Sequence, residues 1–181
     1  MIIFICSPMG SGKTLSLTYL GGLAKLMGYD IYSNYPINYE HTPIIKSEQI
    51  ETIKNGVFLA DELWSWMDCR ASGGKKNLFM SSILLKSRKR GFHIFHTAQF
   101  FLQPDKRLRE HTDIMAVPEY DHVTKTCQLS YYRYIGHEQI IPTPLKTFTF
   151  NARPVFELYD SYQGIYEEGA ESIDHQPAKA L

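Results

Sequence analysis

Apolar and polar positions alternate along this chain in a way that predicts an α/β protein. The unbroken apolar run Ile2–Cys6 is typical of a central parallel strand that is covered on both faces. Helical spacing follows over residues 14–27, and Gly28 is placed to end that helix. The order strand, helix, strand favours a mainly parallel sheet. Further strands are predicted at residues 29–32, 57–60, 92–97 and 113–117.

The second half of the chain has a different pattern. Residues 78–90 have helical spacing, with Gly91 directly after them. Residues 120–162 alternate, are rich in Tyr and Thr and contain several prolines, which predicts short strands or a hairpin packed on the core. We therefore expect one domain over residues 1–165 and a flexible acidic tail over residues 166–181.

Composition supports a single globular domain. The chain has 181 residues, of which 44% are hydrophobic and 21% charged. Its longest apolar run, residues 1–6, has six residues, whereas a membrane helix needs about 20. The three cysteines, Cys6, Cys69 and Cys127, are odd in number and form no C-x-x-C pair, which argues against disulfides or a zinc ribbon. We expect a reducing compartment.

Charge is balanced overall but unevenly distributed. There are 19 basic and 19 acidic residues, so net charge predicts no partner. Residues 69–104 carry seven basic residues and no acidic one, whereas residues 157–181 carry six acidic residues and one lysine. A basic middle section is a feature of proteins that bind polyanions.

The most specific motif is a glycine-rich turn between the first strand and the first helix. Lys13 is placed to reach the β- and γ-phosphates of a nucleotide, and the Thr14 hydroxyl to bind Mg²⁺. Ser7 replaces the first glycine of the consensus G-x-x-x-x-G-K-S/T, at a position that only starts the turn. The motif stands between a predicted strand and a predicted helix, which makes a chance glycine turn the weaker interpretation. The predicted nucleotide-binding residues are Ser7, Pro8, Met9, Gly10, Ser11, Gly12, Lys13 and Thr14.

Two carboxylates end the predicted strand 57–60. Asp61 is expected to hold the Mg²⁺ shell, and Glu62 to polarise an attacking water as general base. Acidic residues are also favoured at a helix N-terminus, which is the structural alternative. A glutamate directly after this aspartate is typical of hydrolytic motors rather than nucleotide kinases or GTPases.

The strand 92–97 delivers polar residues to the same edge of the sheet. Gln99 is the candidate sensor of the γ-phosphate, and Thr97 is the second choice. The alternative is a surface amide. His93 and His96 lie three residues apart on a strand and so point to opposite faces, which makes packing roles more plausible than a metal site.

Several basic residues are candidates for contacts with phosphate groups. Arg107 and Arg109 are placed to act on the γ-phosphate of a neighbouring subunit, with Arg70 and Arg88 as competitors. The cluster Arg88, Lys89 and Arg90 suits DNA phosphates, but basic residues in a last helical turn also complement the helix dipole.

Together these motifs resemble the additional-strand, catalytic-glutamate division of P-loop NTPases, of RecA/FtsK-like fold. Within that division the chain resembles the FtsK–HerA group, and in particular zonula occludens toxin-like and viral genome-packaging ATPases. The resemblance spans residues 1–162. It is carried by GSGKT at 10–14, SNYPI at 33–37, ADE at 60–62, DCR at 68–70, SRKRG at 87–91, TAQ at 97–99, DKRLR at 105–109 and FELYDSY at 156–162.

The resemblance implies an ATP- and Mg²⁺-dependent motor. Such motors form homo-oligomeric rings, here a hexamer, and pull double-stranded DNA through loops at the ring centre. The loop 71–77, with Lys75 and Lys76, is the candidate DNA contact. Toxin-like proteins carry a membrane helix after this domain, and none is seen here. We therefore expect genome packaging into a capsid, with a capsid protein as partner and the host cytoplasm or the virion as location.

Three alternatives stay open at this point. One is a phage assembly or extrusion ATPase that works with a membrane partner. Another is a small-molecule kinase, in which Arg107 and Arg109 would belong to a lid. The last is a protein that binds ATP only as a structural ligand. No base-reading motif such as N-K-x-D is present, so ATP rather than GTP is inferred from the resemblance alone.

Overall fold

In the computed structural model, which describes residues 1–67, 87, 89–136, 139–160 and 164–166, nine strands form one sheet. In chain order they are β1 (Ile2–Cys6), β2 (Asp30–Ser33), β3 (Thr42–Pro43), β4 (Gly56–Ala60), β5 (His93–Ala98), β6 (Ile114–Asp121), β7 (Thr126–Gly136), β8 (Gln139–Ile140) and β9 (Lys146–Asn151). Across the sheet the order is β3-β2-β4-β5-β1-β6-β7-β8, and β9 pairs with β7.

The sheet has a parallel part and an antiparallel part. Strands β3, β2, β4, β5, β1 and β6 pair in parallel. Strands β7, β8 and β9 add antiparallel ladders beyond β6. The predicted fold class, α/β with a central mainly parallel sheet and a small C-terminal β extension, is therefore confirmed. Strand β5 lies between β1 and β4, which is the inserted strand that the resemblance implied.

Within the described residues the helices are few and mostly short. Helix α1 (Lys13–Leu26) matches the prediction for residues 14–27, and Gly28 follows it with φ +87°. Helix α2 (Lys106–Glu110) begins where the Asp105 side chain accepts a hydrogen bond from the Arg107 N–H at 2.8 Å. The others are α3 (Arg153–Phe156) and the 3₁₀ helices Ser47–Thr52 and Leu63–Met67. Among the described residues, no helix is long and apolar enough to cross a membrane.

The predicted helix 78–90 lies largely outside the described residues. Ser87, Lys89 and Arg90 are described and are helical. Gly91 follows with φ +69°, a left-handed conformation that suits glycine at a helix end. Of the predicted tail 166–181, Tyr166 is described and residues 167–181 lie outside the described residues, so the predicted domain boundary at residue 165 stays a prediction.

Both faces of the parallel sheet are covered, which explains why its central strands are apolar throughout. In β1, Ile3 and Ile5 belong to the core under α1, whereas Ile2 points to the core on the other face. In β4, Leu59 and Phe58 divide in the same way. Successive side chains of a strand point to opposite faces, so a doubly covered strand needs every position apolar.

A glycine allows α1 to lie close to β4. A Cβ built on Gly21 would overlap the Leu59 side chain and the Tyr39 hydroxyl, whereas one on the adjacent Gly22 meets nothing within 4 Å. Close approach therefore requires glycine at the first position only. This contact fixes α1, and with it the loop that precedes α1, against the strand that carries the acidic pair.

The C-terminal part crosses back over the sheet. We call residues 153–160 and 164–166 the C-terminal strap. Its carbonyls at Glu157 and Leu158 each accept a hydrogen bond from Asn38 at 2.7 Å, and the Tyr166 N–H donates to the Asn34 carbonyl at 2.7 Å. The prediction for residues 120–162 included the strands but not this return, which places the strap beside the carboxyl ends of the parallel strands.

Candidate functional site

The glycine-rich loop has a compact conformation at the end of β1. Gly10 and Gly12 adopt φ +79° and +90°, and only glycine occupies such angles without strain. The Lys13 Nζ donates to the Pro8 carbonyl at 2.9 Å, and the Ser11 hydroxyl donates to the same carbonyl at 2.5 Å. The loop is thus closed around its own centre, with its amide groups at the start of α1.

Asp61 stands at the junction of three strands. Its Oδ2 accepts from the Thr14 hydroxyl at 2.9 Å, and its Oδ1 accepts from the Thr97 hydroxyl at 2.6 Å. Thr14 and Asp61 follow β1 and β4, and Thr97 lies near the end of β5. The carboxyl ends of these three strands meet at one edge of the sheet. The fold therefore brings together the predicted metal-binding residues, Thr14 and Asp61.

Glu62 has an unusual backbone that is held by Thr97. Its φ is +45°, a left-handed conformation that costs a non-glycine residue roughly 1–2 kcal/mol. The Glu62 N–H donates to the Thr97 hydroxyl at 2.8 Å. Thr97 therefore bridges the two carboxylate residues, donating to one and accepting from the other.

Gln99, the predicted sensor, reaches the predicted base. Its Nε2 donates to Glu62 Oε1 at 3.3 Å. The turn behind it is fixed by Gln103, whose Oε1 accepts from the Gln99 and Phe100 amides at 2.8 and 3.0 Å. Thr97, the second choice, is fully buried and contacts Asp61 instead. The two candidates thus occupy different positions.

Asn34 was missed as a site residue by the sequence analysis, where it appeared only within the SNYPI segment. It is fully buried at the end of β2. Its Oδ1 accepts from the Asp61 N–H at 2.7 Å, and its Nδ2 donates to the Asp61 carbonyl at 2.8 Å. Asn34 therefore clamps the backbone that carries the acidic pair. The available signal was a polar residue at the end of a buried strand.

A cavity of about 580 Å³ opens at this edge of the sheet. This volume lies in the range of ligand pockets, roughly 300–1,000 Å³. The cavity unites the P-loop with Asp61, Glu62 and Gln99. It also has a wall that the sequence analysis did not predict, formed by Tyr120, His122, Lys125, Phe156, Tyr159 and Asp160.

Burial shapes the charges in the cavity. Burial raises the pKa of Asp61 above its ordinary value, while the hydrogen bonds from Thr97 and Thr14 oppose the rise. Burial also lowers the pKa of Lys13, and the Asp61 and Glu62 carboxylates oppose that change. The Asp61 carboxylate and the Lys13 ammonium thus each favour the charged form of the other, against the effect of burial.

The donor set fits a magnesium ion. Mg²⁺ takes one or two protein oxygens and completes its octahedron with water and phosphate oxygens. Thr14 and Asp61, 2.9 Å apart, are of this kind. The described residues contain no group of three or more His, Cys, Asp or Glu side chains placed to hold a metal by themselves.

The predicted arginines are engaged within the chain. Arg107 forms a two-point ion pair with Asp105, with Nε and Nη2 each 2.9 Å from a carboxylate oxygen. Arg109 is 8% exposed and its guanidinium lies 5.6 Å from the centre of the Phe101 ring. Neither lines the cavity. Their action in a neighbouring subunit stays a prediction.

The predicted DNA-binding residues are mostly outside the described part. Lys75, Lys76 and Arg88 are among the residues not described. Lys89 is exposed and Arg90 half-buried, just before the turn at Gly91. The assignment of these five residues to DNA stays a prediction.

His93 and His96 point to opposite faces, as predicted. His96 is fully buried and stacks on Phe4 with ring centres 4.6 Å apart. His93 packs edge-on against Tyr29 at 5.6 Å. Both histidines pack against aromatic rings. Cys6 and Cys127 are free and buried, and Cys69 lies outside the described residues.

No family model matches the chain. Two viral proteins are similar in sequence, both named ORF2. The protein of Spiroplasma virus SpV1-R8A2 B is 29% identical over 105 residues, covering 52% of this chain and 31% of its own length. That of Spiroplasma virus SpV1-C74 is 29% identical over 109 residues, covering 55% and 31%. The chain thus spans about a third of the length of these relatives.

Solved structures place the fold. The N-terminal domain of zonular occludens toxin from Neisseria meningitidis aligns with a TM-score of 0.59 and 17% identity, over 88% of this chain and 98% of that one. The genome packaging NTPase B204 of Sulfolobus turreted icosahedral virus 2, in complex with ATP-gammaS, aligns with a TM-score of 0.43 and 13% identity, over 67% and 76%. The strand order, the closed glycine loop and the first of these likenesses define the fold as that of a P-loop NTPase. The finer resemblance to the FtsK–HerA group stays a prediction.

Proposed function

We propose that this protein is an ATPase whose hydrolysis drives the movement of double-stranded DNA. One observation carries the hydrolytic part of the proposal. The P-loop, Asp61, Glu62 and Gln99 follow neighbouring strands and line one cavity. A kinase requires an acceptor site in place of a water-activating base, and Glu62 with Gln99 favours attack by water.

The residues at the phosphate-binding end of the cavity have distinct roles. Lys13 and the loop amides bind the phosphate chain, with the lysine leaving its contact with the Pro8 carbonyl. Thr14 and Asp61 would hold Mg²⁺, which neutralises charge on the β- and γ-phosphates when bound. Glu62 takes a proton from the attacking water as general base. Gln99, whose side-chain amide donates a hydrogen bond to the Glu62 carboxylate, responds to the γ-phosphate.

The DNA-translocating part rests on the resemblance and on charge. We propose a homo-oligomeric ring, a hexamer, with Lys75 and Lys76 on the DNA and Arg107 or Arg109 acting across the subunit interface. The sequence relatives are proteins of two Spiroplasma viruses, which supports a viral protein. Genome packaging in the host cytoplasm, with a capsid protein as partner, is proposed from the resemblance. Contacts of lysines with DNA phosphates are independent of sequence and weaken with salt.

The test is phosphate release from ATP and Mg²⁺, with and without double-stranded DNA, for the wild type and Glu62→Gln. We expect DNA to stimulate the wild type, and the variant to bind ATP while losing turnover by about 10²-fold or more. Glu48→Gln, a surface glutamate outside the cavity, is the matched control and should behave as wild type. Full turnover in Glu62→Gln would remove the glutamate from the mechanism, and wild-type turnover indifferent to DNA would remove the motor.

A second candidate is a phage assembly or extrusion ATPase that works with a membrane partner. The fold likeness to the toxin domain over 88% of this chain favours it. In this case DNA would leave turnover unchanged, and co-purification from infected cells would place the protein with an inner-membrane protein. The two candidates share the hydrolytic site and differ in what stimulates it.

A further inference from the structure

An aromatic cluster lines one part of the cavity. Tyr120 lies with its ring centre 4.6 Å from that of His122 and 5.5 Å from that of Phe156, edge to face in both pairs. Phe156 packs in turn on Tyr159 at 6.2 Å. Phe156 is 39% exposed although it lines a cavity. An accessible aromatic wall in the same cavity as the charged groups is suited to a flat, apolar ligand group.

The sheet order places this cluster across the P-loop from the carboxylates. Asp61 follows β4 and Gln99 follows β5. Both strands lie on one side of β1, and β6 lies on the other. Tyr120 belongs to β6, and its Cβ lies 3.2 Å from where a Cβ on Gly12 would stand. The antiparallel pair of β6 and β7 therefore packs directly against the phosphate loop, on the side away from the predicted site of hydrolysis.

The two ends of a nucleoside triphosphate match the two ends of this cavity: the charged phosphates match the P-loop and carboxylate end, and the base matches the aromatic end. Its γ-phosphate must lie by Glu62 and its phosphate chain on the loop, so the base must extend to the opposite side. We propose that Phe156, Tyr120 and His122 form the stacking site for a purine base of the bound nucleotide. This inference rests on the proposed nucleotide-binding function and adds to it the residues that recognise the base.

Polar groups on the same wall can hydrogen-bond the edge of the base. Lys125 offers an ammonium donor and Asp160 a carboxylate acceptor, and both line the cavity. A purine presents both acceptors and donors on its edge, and its two rings give more stacking area than a pyrimidine. The site is composite, because Tyr120 comes from β6 and Phe156 from the C-terminal strap.

The test separates the base from the phosphates by using two probes, ATP and inorganic tripolyphosphate, each with Mg²⁺ and measured by calorimetry. In Phe156→Ala, ATP affinity should fall roughly 5- to 150-fold, the range for loss of a base–aromatic stack, while tripolyphosphate affinity stays within twofold. Phe156→Trp should restore ATP binding. Val123→Ala is the control and should change neither affinity, because Val123 is 88% exposed in the turn between β6 and β7, next to His122.

The outcomes distinguish this inference from the proposed function. Equal loss of both ligands in Phe156→Ala, or no loss of either, would overturn the stacking site while leaving the ATPase proposal standing. Lys13→Ala should weaken both ligands and reports on the loop alone. Failure of the wild type to bind either probe would overturn the proposed function and the base site together.

Discussion

Asn34 is the residue whose replacement most directly tests the described geometry of the acidic pair. Its side-chain amide satisfies both the N–H and the carbonyl of Asp61, at 2.7 and 2.8 Å. It is fully buried, and its own backbone N–H and carbonyl bond to Leu59 and Tyr166. Asn34→Ala therefore removes two hydrogen bonds and leaves two polar groups of Asp61 without these partners.

The magnitude follows from the cost of unsatisfied polar groups. Leaving a buried donor or acceptor unpaired costs about 1–3 kcal/mol. Two such groups would give about 2–6 kcal/mol if no water entered. Water reaching the cavity side relieves part of this cost, so we expect a loss of about 2–4 kcal/mol in the free energy of unfolding. We also expect turnover to fall by about tenfold or more, because Glu62 follows the freed segment.

The assay pairs denaturant unfolding with phosphate release. Asn38→Ala is the matched control, since Asn38 lies in the same loop and donates one side-chain hydrogen bond to the Glu157 carbonyl at 2.7 Å, but is exposed. We expect it to cost less than about 1 kcal/mol. If Asn34→Ala is no less stable than Asn38→Ala and turns over at the wild-type rate, the clamp on Asp61 has no energetic role.

Three further predictions follow from other contacts. Thr97→Val should retain ATP binding but slow turnover by about tenfold or more. It should also shift the acid limb of the pH–rate profile to higher pH, because the hydrogen bond from Thr97 lowers the pKa of Asp61 and its loss raises that pKa. Thr97→Ser should restore both the rate and the profile. Burial lowers the pKa of His96 to about 3, so it stays neutral in the folded state while the unfolded state gains a proton near pH 6.5. Stability that is complete above pH 6.5 should fall at lower pH by up to about 1.4 kcal/mol per pH unit, and His96→Phe should remove that slope in a pH series of unfolding curves. Gly21→Ala should lower the free energy of unfolding by about 1–3 kcal/mol through overlap with β4, whereas Gly22→Ala should raise it by about 0.5–1 kcal/mol, and equal effects would show that α1 does not lie as close as described.

The parts of the fold that could be predicted are those whose cause is local. A strand covered on both faces must be apolar at every position, so β1 and β4 are visible as runs. Gly28 and Gly91 mark helix ends because their positive φ angles suit glycine. The P-loop is recognisable because its cause is also local: glycines are needed for the positive φ angles, a lysine for the phosphates and a hydroxyl for the metal ion.

The meeting of the catalytic candidates was predictable by one further step. Parallel strands place their carboxyl ends at one edge, so residues that follow β1, β4 and β5 must come together. The order of these strands came from the resemblance, and the sheet confirms it. The contact from Thr97 to Asp61 was not predicted in detail, because hydroxyl geometry depends on register, here Ala60 opposite His96.

Residue patterns along the chain were enough to predict the phosphate-binding loop, the strands and helix around it, and the presence of a carboxylate pair after a neighbouring strand. The rest of the cavity depends on how distant segments pack together. Asn34 bonds to the backbone of Asp61, 27 residues away in the sequence. Asn38 bonds to the carbonyls of Glu157 and Leu158 in the strap, which are more than 100 residues away. Phe156 and Tyr120 form a wall only because β6 lies beside β1 and the strap returns across the sheet. Such contacts depend on where distant segments pack, and no local pattern of residue types carries that information.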